Sequence, residues 1–212
     1  MSKTILVMGE SGAGKTTAMR NLDPKTTLYI DADKKGLSWK GWRKQYNAEN
    51  KNYVKPLDMI QVRSLLAAAG EATRIKTVVI DTLNGLMLDS EMENIHTNGY
   101  GKWVDLAENI YQIIAMANAL RDGLTVIFVG HSETIADDTG YTQTRLKTNG
   151  RKLEKIVLES KFSTVLLAKG TDGKYVFETQ AKQSTAKSPM SAFTDFEIEN
   201  DIIKVISALE EF

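Results

Sequence analysis

Gly9-Glu10-Ser11-Gly12-Ala13-Gly14-Lys15-Thr16 has the pattern G-x-x-x-x-G-K-[ST] and stands directly after the apolar run 5–8. A strand before the pattern and a helix after it are the context in which such a loop cradles phosphate groups. Glycines let the backbone curl so that successive N–H groups point at phosphate oxygens, and the positive end of the following helix adds to the attraction. The reading is therefore a nucleotide loop spanning Gly9 to Thr17. Lys15 reaches the β- and γ-phosphates of ATP or a close relative, and the Thr16 hydroxyl ligates Mg2+.

Working outward, Val78-Val79-Ile80-Asp81-Thr82 is an apolar strand ending in a carboxylate, the expected second support for the magnesium ion. Further short apolar runs at 27–30, 77–80, 125–129 and 164–167 suit strands of a parallel sheet buried on both faces. Helical patterns lie between them. The clearest covers 102–121, where Trp103, Leu106, Ala107, Ile110, Ile113, Ile114, Ala117 and Leu120 recur at i, i+3, i+4 spacing. Alternating strands and helices predict an α/β fold with a mostly parallel central sheet flanked by helices. Asp23-Pro24 should stop the helix that opens at Lys15 after barely two turns, and Gly123 should close the long one. Asp172-Gly173 predicts a hairpin turn between 165–169 and 175–177, and a short helix over 201–210 is expected at the C-terminal end.

Composition sets broad limits. The chain has 212 residues, 42% hydrophobic and 25% charged, the make-up of an ordinary globular protein of one domain, 1–212. Basic and acidic residues number 27 each, so attraction to nucleic acid has to come from their arrangement. Residues 34–55 hold seven Lys or Arg against one Glu, whereas residues 195–212 hold six Asp or Glu against one Lys. No cysteine is present, which removes disulfides, thiolate metal sites and cysteine nucleophiles and suits a reducing cytoplasm. No apolar run is long enough for a membrane span, so a cytoplasmic location without a membrane partner is expected.

The second strand ends Tyr29-Ile30-Asp31-Ala32-Asp33, and here the sequence resembles the RecA-like ATPases, whose matching strand ends in a carboxylate that polarises the attacking water. Residues 79–82 resemble that family's magnesium strand and 126–131 its fourth strand with a polar sensor at the end. Residues 148–167 resemble its mobile DNA-binding loop running into the fifth strand. Among the RecA-like ATPases the compact length is most similar to the small phage-encoded members that promote single-strand annealing and recombination. The resemblance implies ATP hydrolysis with Lys15, Asp33, Asp81 and His131 in the catalytic centre, in the cytoplasm of a host cell. It further implies single-stranded DNA, a homo-oligomer and a single-strand-binding protein as partners. Asp33 is one methylene shorter than the family's Glu, and His131 replaces its Gln, so slow hydrolysis is expected. From the residues alone, Asp31 competes with Asp33 for the water, and His131 reads equally as a capping residue beside Ser132.

Two segments have the cation-plus-aromatic composition that single-strand binding needs. One is 141–155, with Tyr141, Arg145, Lys147, Arg151 and Lys152, expected to be a mobile basic loop; the other is 98–103, with Tyr100 and Lys102, a flexible turn. Both also read as solvated surface loops. Trp39 is a candidate to stack on adenine, with core packing as its ordinary alternative. The resemblance would also place Lys182 and Lys187 near a neighbouring subunit's γ-phosphate. Two other functions fit the phosphate loop. In a small-molecule or nucleoside kinase, Arg145, Arg151 and Lys152 would form a cationic lid over the transferred group. In a nucleotide-switched adaptor, hydrolysis would be nearly absent.

Overall fold

The computed structural model describes residues 1–150 and 152–212; Arg151, a candidate DNA contact, lies outside the described residues. In chain order the elements are β1 (Lys3–Gly9), β2 (Thr27–Asp31), α1 (Trp42–Gln45), β3 (Tyr53–Val54), α2 (Met59–Glu71), β4 (Thr77–Asp81) and α3 (Leu83–Glu93). They continue with α4 (Gly101–Ala119), β5 (Thr125–Ala136), β6 (Thr142–Leu146), β7 (Thr164–Thr171), β8 (Lys174–Glu178), β9 (Glu197–Glu199) and α5 (Ile202–Ala208). The strands form one sheet in the order β3-β2-β4-β5-β1-β7-β8-β9, with β6 paired to the far end of β5. Strands β3 through β7 on this path run parallel, and β8 and β9 add an antiparallel edge. The α/β architecture read from the sequence is the one observed.

Alternation along each buried strand divides the core into two layers. Leu6, Met8, Ile30, Val78, Ile80, Val126 and Phe128 point to the face covered by α2, α3 and α4. Ile5, Val7, Tyr29, Val79, Ile127 and Val129 point to the other, covered by Ala18, Met19, Leu22 and α5. Because both faces are covered, polar groups at the strand ends must find partners there or at the C-terminal rim, where β1, β2 and β4 end in Gly9, Asp31 and Asp81. No described helix is long and apolar enough to cross a membrane.

Several boundaries differ from the sequence reading. The helix expected at Lys15 is a single 3-10 turn, Thr17–Met19. Only Ala18 N–H reaches back four residues, to Gly14 O at 2.9 Å, before the bonds from Met19, Arg20 and Leu22 tighten to three-residue steps. The segment must enter β2 within eight residues of Met19, and Pro24 prevents further winding. Helix α4 ends at Ala119, short of 121, and Gly123 forms a left-handed turn (φ 74°) after it. The expected Asp172-Gly173 turn does connect β7 to β8, with both residues at positive φ.

The largest correction falls on 141–155. Residues 142–146 form β6, paired antiparallel to a β5 that runs to Ala136 instead of stopping near 129. Thr144 also bonds backbone to backbone with Gln183 and Thr185, at 2.7 and 2.9 Å, which ties β6 to the 183–187 segment. This third of the expected mobile loop is therefore a strand bonded on both sides. The turn expected at 98–103 likewise becomes the first turn of α4 from Gly101 onward.

Candidate active site

The phosphate loop leaves β1 at Gly9, which is in register with His131 of β5, so the imidazole is placed beside the start of the loop. Gly14 sits at φ 84°, and a Cβ there would lie 2.9 Å from the Tyr175 ring, so both conformation and space require glycine. The Lys15 ammonium folds into the concave side of the loop and donates to the carbonyl oxygens of Gly9 and Glu10 at 2.8 and 2.7 Å. Burial lowers its pKa to about 8, against the opposing pull of Asp81.

A charged Lys15 is the form that holds phosphate, so above pH 8 nucleotide binding must take up a proton. Affinity for a fluorescent ADP analogue is accordingly expected to fall about tenfold per pH unit between pH 8 and 10 in the wild-type protein. In Lys15→Ala that slope should be absent.

Asp81 ends β4 and is 2% exposed. Its Oδ2 accepts from Thr16 Oγ1 at 2.8 Å and from Tyr29 Oη at 2.6 Å. Its Oδ1 is buried and has no hydrogen-bond partner among the described residues. Burial raises its pKa, and the bonds from Tyr29 and Thr16 only partly offset that cost. An unpartnered carboxylate oxygen next to a threonine hydroxyl at a phosphate loop fits magnesium, held through the ion's water shell. Among the described residues no cluster of three or more His, Cys, Asp or Glu makes a protein-only metal cage, so most remaining ligands would be water and phosphate oxygens.

The two carboxylates of the second strand end are placed differently. Asp31 is 2% exposed, and its Oδ2 accepts from Gly36 N–H at 2.8 Å and Tyr53 Oη at 2.5 Å, so it anchors a turn. Asp33 is partly exposed; its Oδ1 accepts from Thr82 Oγ1 at 2.7 Å and its Oδ2 pairs with Lys35 at 2.5 Å. Burial alone would raise the Asp33 pKa, but the bonds from Lys35 and Thr82 prevail and hold it below the usual carboxylate range. The Thr82 hydroxyl also caps α3 by accepting from Gly85 N–H at 2.9 Å. A Cβ on Gly85 would lie 2.6 Å from Asp33 Oδ1, so only glycine lets α3 approach this closely.

His131 is in the middle of β5, not at a helix end, which removes its reading as a cap. Its N–H donates to Asn84 Oδ1 at 2.7 Å, and its half-buried imidazole has a pKa lowered by burial and by the Lys15 charge. The lowering favours its uncharged form. Ser11, Gly12, Gly14, Lys15, Thr16, Thr17, Lys35, Thr82 and His131 line one cavity of about 570 Å³, which continues over Arg20, Ser38, Tyr175, Glu199 and Asn200. That volume suits a small-molecule ligand.

A family model described as an AAA domain matches residues 1–190, nearly the whole chain. The chain belongs to the AAA domain family. A domain of this kind is a nucleotide-binding ATPase that generally takes ATP with Mg2+. No curated protein matches the chain.

The other described candidates of this AAA domain are not among the residues lining the cavity. Trp39 packs edge-on against Tyr29 and Tyr46, with centroids 6.3 and 6.0 Å apart, and donates to Gln45 Oε1 at 2.8 Å. The ring is partly buried and packs against the core. Arg145 pairs with Glu133 across β5 and β6 at 2.9 Å. Lys147 and Lys152 are exposed. Lys102 donates to Asn94 O at 3.2 Å and lies over the Trp103 ring, next to an exposed Tyr100. The two DNA candidate segments touch, because the Trp103 ring occupies the space where a Cβ on Gly150 would be, 2.5 Å away. Lys182 is exposed and lies over the Phe196 ring, while Lys187 pairs backbone to backbone with Val165; neither lines the cavity.

Three residues of the site escaped the sequence reading. Tyr29 sits in an apolar run that signals only a strand, and nothing in the run says that its hydroxyl reaches Asp81. Thr82 follows directly after Asp81 and precedes a helix, so its capping role was available as a signal. Lys35 was legible only as one cation of a basic segment.

Proposed function

We propose that this AAA domain hydrolyses ATP with Asp33 as general base and couples that reaction to its grip on single-stranded DNA, in the manner of a RecA-like ATPase. The observation that carries the hydrolytic part is that Lys15, Thr16, Thr82 and His131 line one cavity, with Asp81 and Asp33 hydrogen-bonded to two of them, Thr16 and Thr82. Magnesium, when bound with the nucleotide, would neutralise charge on the phosphate oxygens. Lys15 holds the β- and γ-phosphates, and Asp81 is held by Tyr29 and Thr16 with one oxygen unpaired among the described residues. Asp33 accepts a proton from water as the water oxygen bonds to the γ-phosphorus. The bond from the γ-phosphorus to the bridging oxygen breaks, and its electron pair stays on ADP.

Coupling to DNA is supported by Asn84. It accepts from His131 N–H and donates Nδ2–H to Lys147 O at 2.9 Å, while Lys147 N–H donates to His131 O at 2.8 Å. The backbone of His131, whose side chain lines the cavity, is thus bonded to the start of the segment carrying Lys147, Lys152 and Lys155, a route by which a change at the γ-phosphate would reach it. A kinase lid built on Arg145 loses support, since that guanidinium is paired with Glu133 away from the cavity.

Binding of a fluorescent single-stranded oligonucleotide, measured by anisotropy across salt concentrations with a nonhydrolysable ATP analogue, tests the DNA part. About four phosphate contacts would give a log–log salt slope near −3, and Lys147→Ala or Lys152→Ala should each make it shallower by about 0.7. Absence of binding at low salt contradicts the reading.

A further inference from the structure

Lys35 lines the cavity together with Lys15 and His131, and its position is built by the turn that follows Asp31. Lys34 adopts the left-handed region at φ 58° and donates its N–H to Asp31 O at 3.2 Å. Gly36 N–H and Tyr53 Oη both bond Asp31 Oδ2. The basic doublet is thereby split: Lys34 turns away to pair with Asp89 at 2.6 Å, and Lys35 turns inward to Asp33 at 2.5 Å. As it stands, this pair occupies the oxygen that would activate water. The Lys35 side chain is 54% exposed and that of Asp33 15%, so the pair is open to water and to a competing anion on the lysine side. The γ-phosphate group carries more negative charge than a carboxylate, and one of its oxygens in the same cavity would compete for the ammonium.

We propose that Lys35 is a catalytic cation supplied by the nucleotide's own subunit, a role resting on the ATPase reading of this cavity. ATP draws its ammonium from Asp33 to a γ-phosphate oxygen. One movement then places positive charge where negative charge develops and frees Asp33 to take the proton of the attacking water. Lys35 keeps its proton throughout. The water oxygen bonds to the γ-phosphorus, the bond to the bridging oxygen breaks, and ADP and phosphate leave.

Lys35→Ala is expected to lower kcat by about 100- to 1000-fold, with ADP affinity within about threefold of wild type. Lys35→Arg, which keeps the charge, should retain a tenth or more of the activity. The preference for ATPγS over ADP, a binding ratio that needs no turnover, should fall about tenfold in Lys35→Ala. Mixing Lys35→Ala with Lys15→Ala tests whose lysine acts, since the second protein retains Lys35 but lacks the phosphate-loop lysine. No recovery of activity supports action within one subunit; recovery overturns it. Wild-type turnover by Lys35→Ala, or an unchanged ATPγS-to-ADP ratio, overturns the role itself. If wild type hydrolyses no more ATP than Lys15→Ala, the ATPase reading fails instead, and the binding ratio still decides whether Lys35 meets the γ-phosphate.

Discussion

Asp33→Asn is expected to lower kcat for ATP hydrolysis by about 10²- to 10⁴-fold, while ATP affinity stays within a few-fold of wild type. The amide still accepts from Thr82, so the α3 cap and the close approach of Gly85 survive, but it cannot take a proton from water. Single-turnover hydrolysis and equilibrium binding of ATP separate the two effects. Asp31→Asn is the informative companion. It disturbs a carboxylate bonded to Gly36 and Tyr53, so its first effect should be a loss of stability of about 1–3 kcal/mol, read as a lower Tm. A variant order reversed from this, with Asp33→Asn active and Asp31→Asn stable but inert, would move the general base to Asp31.

Asp81→Asn should weaken magnesium binding in the presence of ADP by about 10- to 100-fold, measured by competition with Mn2+ in an EPR titration. Thr16 and Tyr29 can still donate to the amide oxygen, so the altered element is the charge and the buried Oδ1, which has no hydrogen-bond partner among the described residues. The sign of the stability change distinguishes this from general damage. A carboxyl whose folded pKa lies above its unfolded value binds more protons when folded, so its ionisation costs stability as pH rises through that range. Removing the charge at neutral pH is therefore expected to leave Tm unchanged or raised. A large drop in Tm with unaltered magnesium binding would assign Asp81 to the core alone.

The contrast between Asp81 and Tyr29 shows which parts of this protein were legible in the sequence. A loop pattern constrained at four of eight positions, an apolar strand before it and an acidic strand end are local features, and local features survive translation into structure. The parallel strands and α4 were legible for the same reason, since burial on two faces or on one helical stripe leaves a pattern in consecutive residues. Tyr29, by contrast, is apolar by pattern, and its hydroxyl acts across to the neighbouring strand, where Asp31 is in register with Asp81. Residues 142–146 read as a loop because Thr, Gln and Arg at a partly exposed edge carry no apolar alternation; their order comes from pairing with β5 and with 183–187. Trp39 shows a different limit: its basic, aromatic neighbourhood reads as a binding surface, and the edge-on packing of the partly buried ring against Tyr29 and Tyr46 is not visible in the sequence.

Lys35 depends on a still longer chain of causes. A left-handed residue at Lys34 and two bonds to Asp31 decide which of two adjacent lysines enters the cavity. No spacing rule reports that choice.

Magnesium-dependent ATP hydrolysis, with and without single-stranded DNA at low and moderate salt and with Lys15→Ala as the blank, tests the central claim most directly. Turnover above the blank, stimulated by DNA and losing that stimulation as salt rises, is the predicted result. Tight ATP binding with turnover no greater than Lys15→Ala under every condition would contradict it.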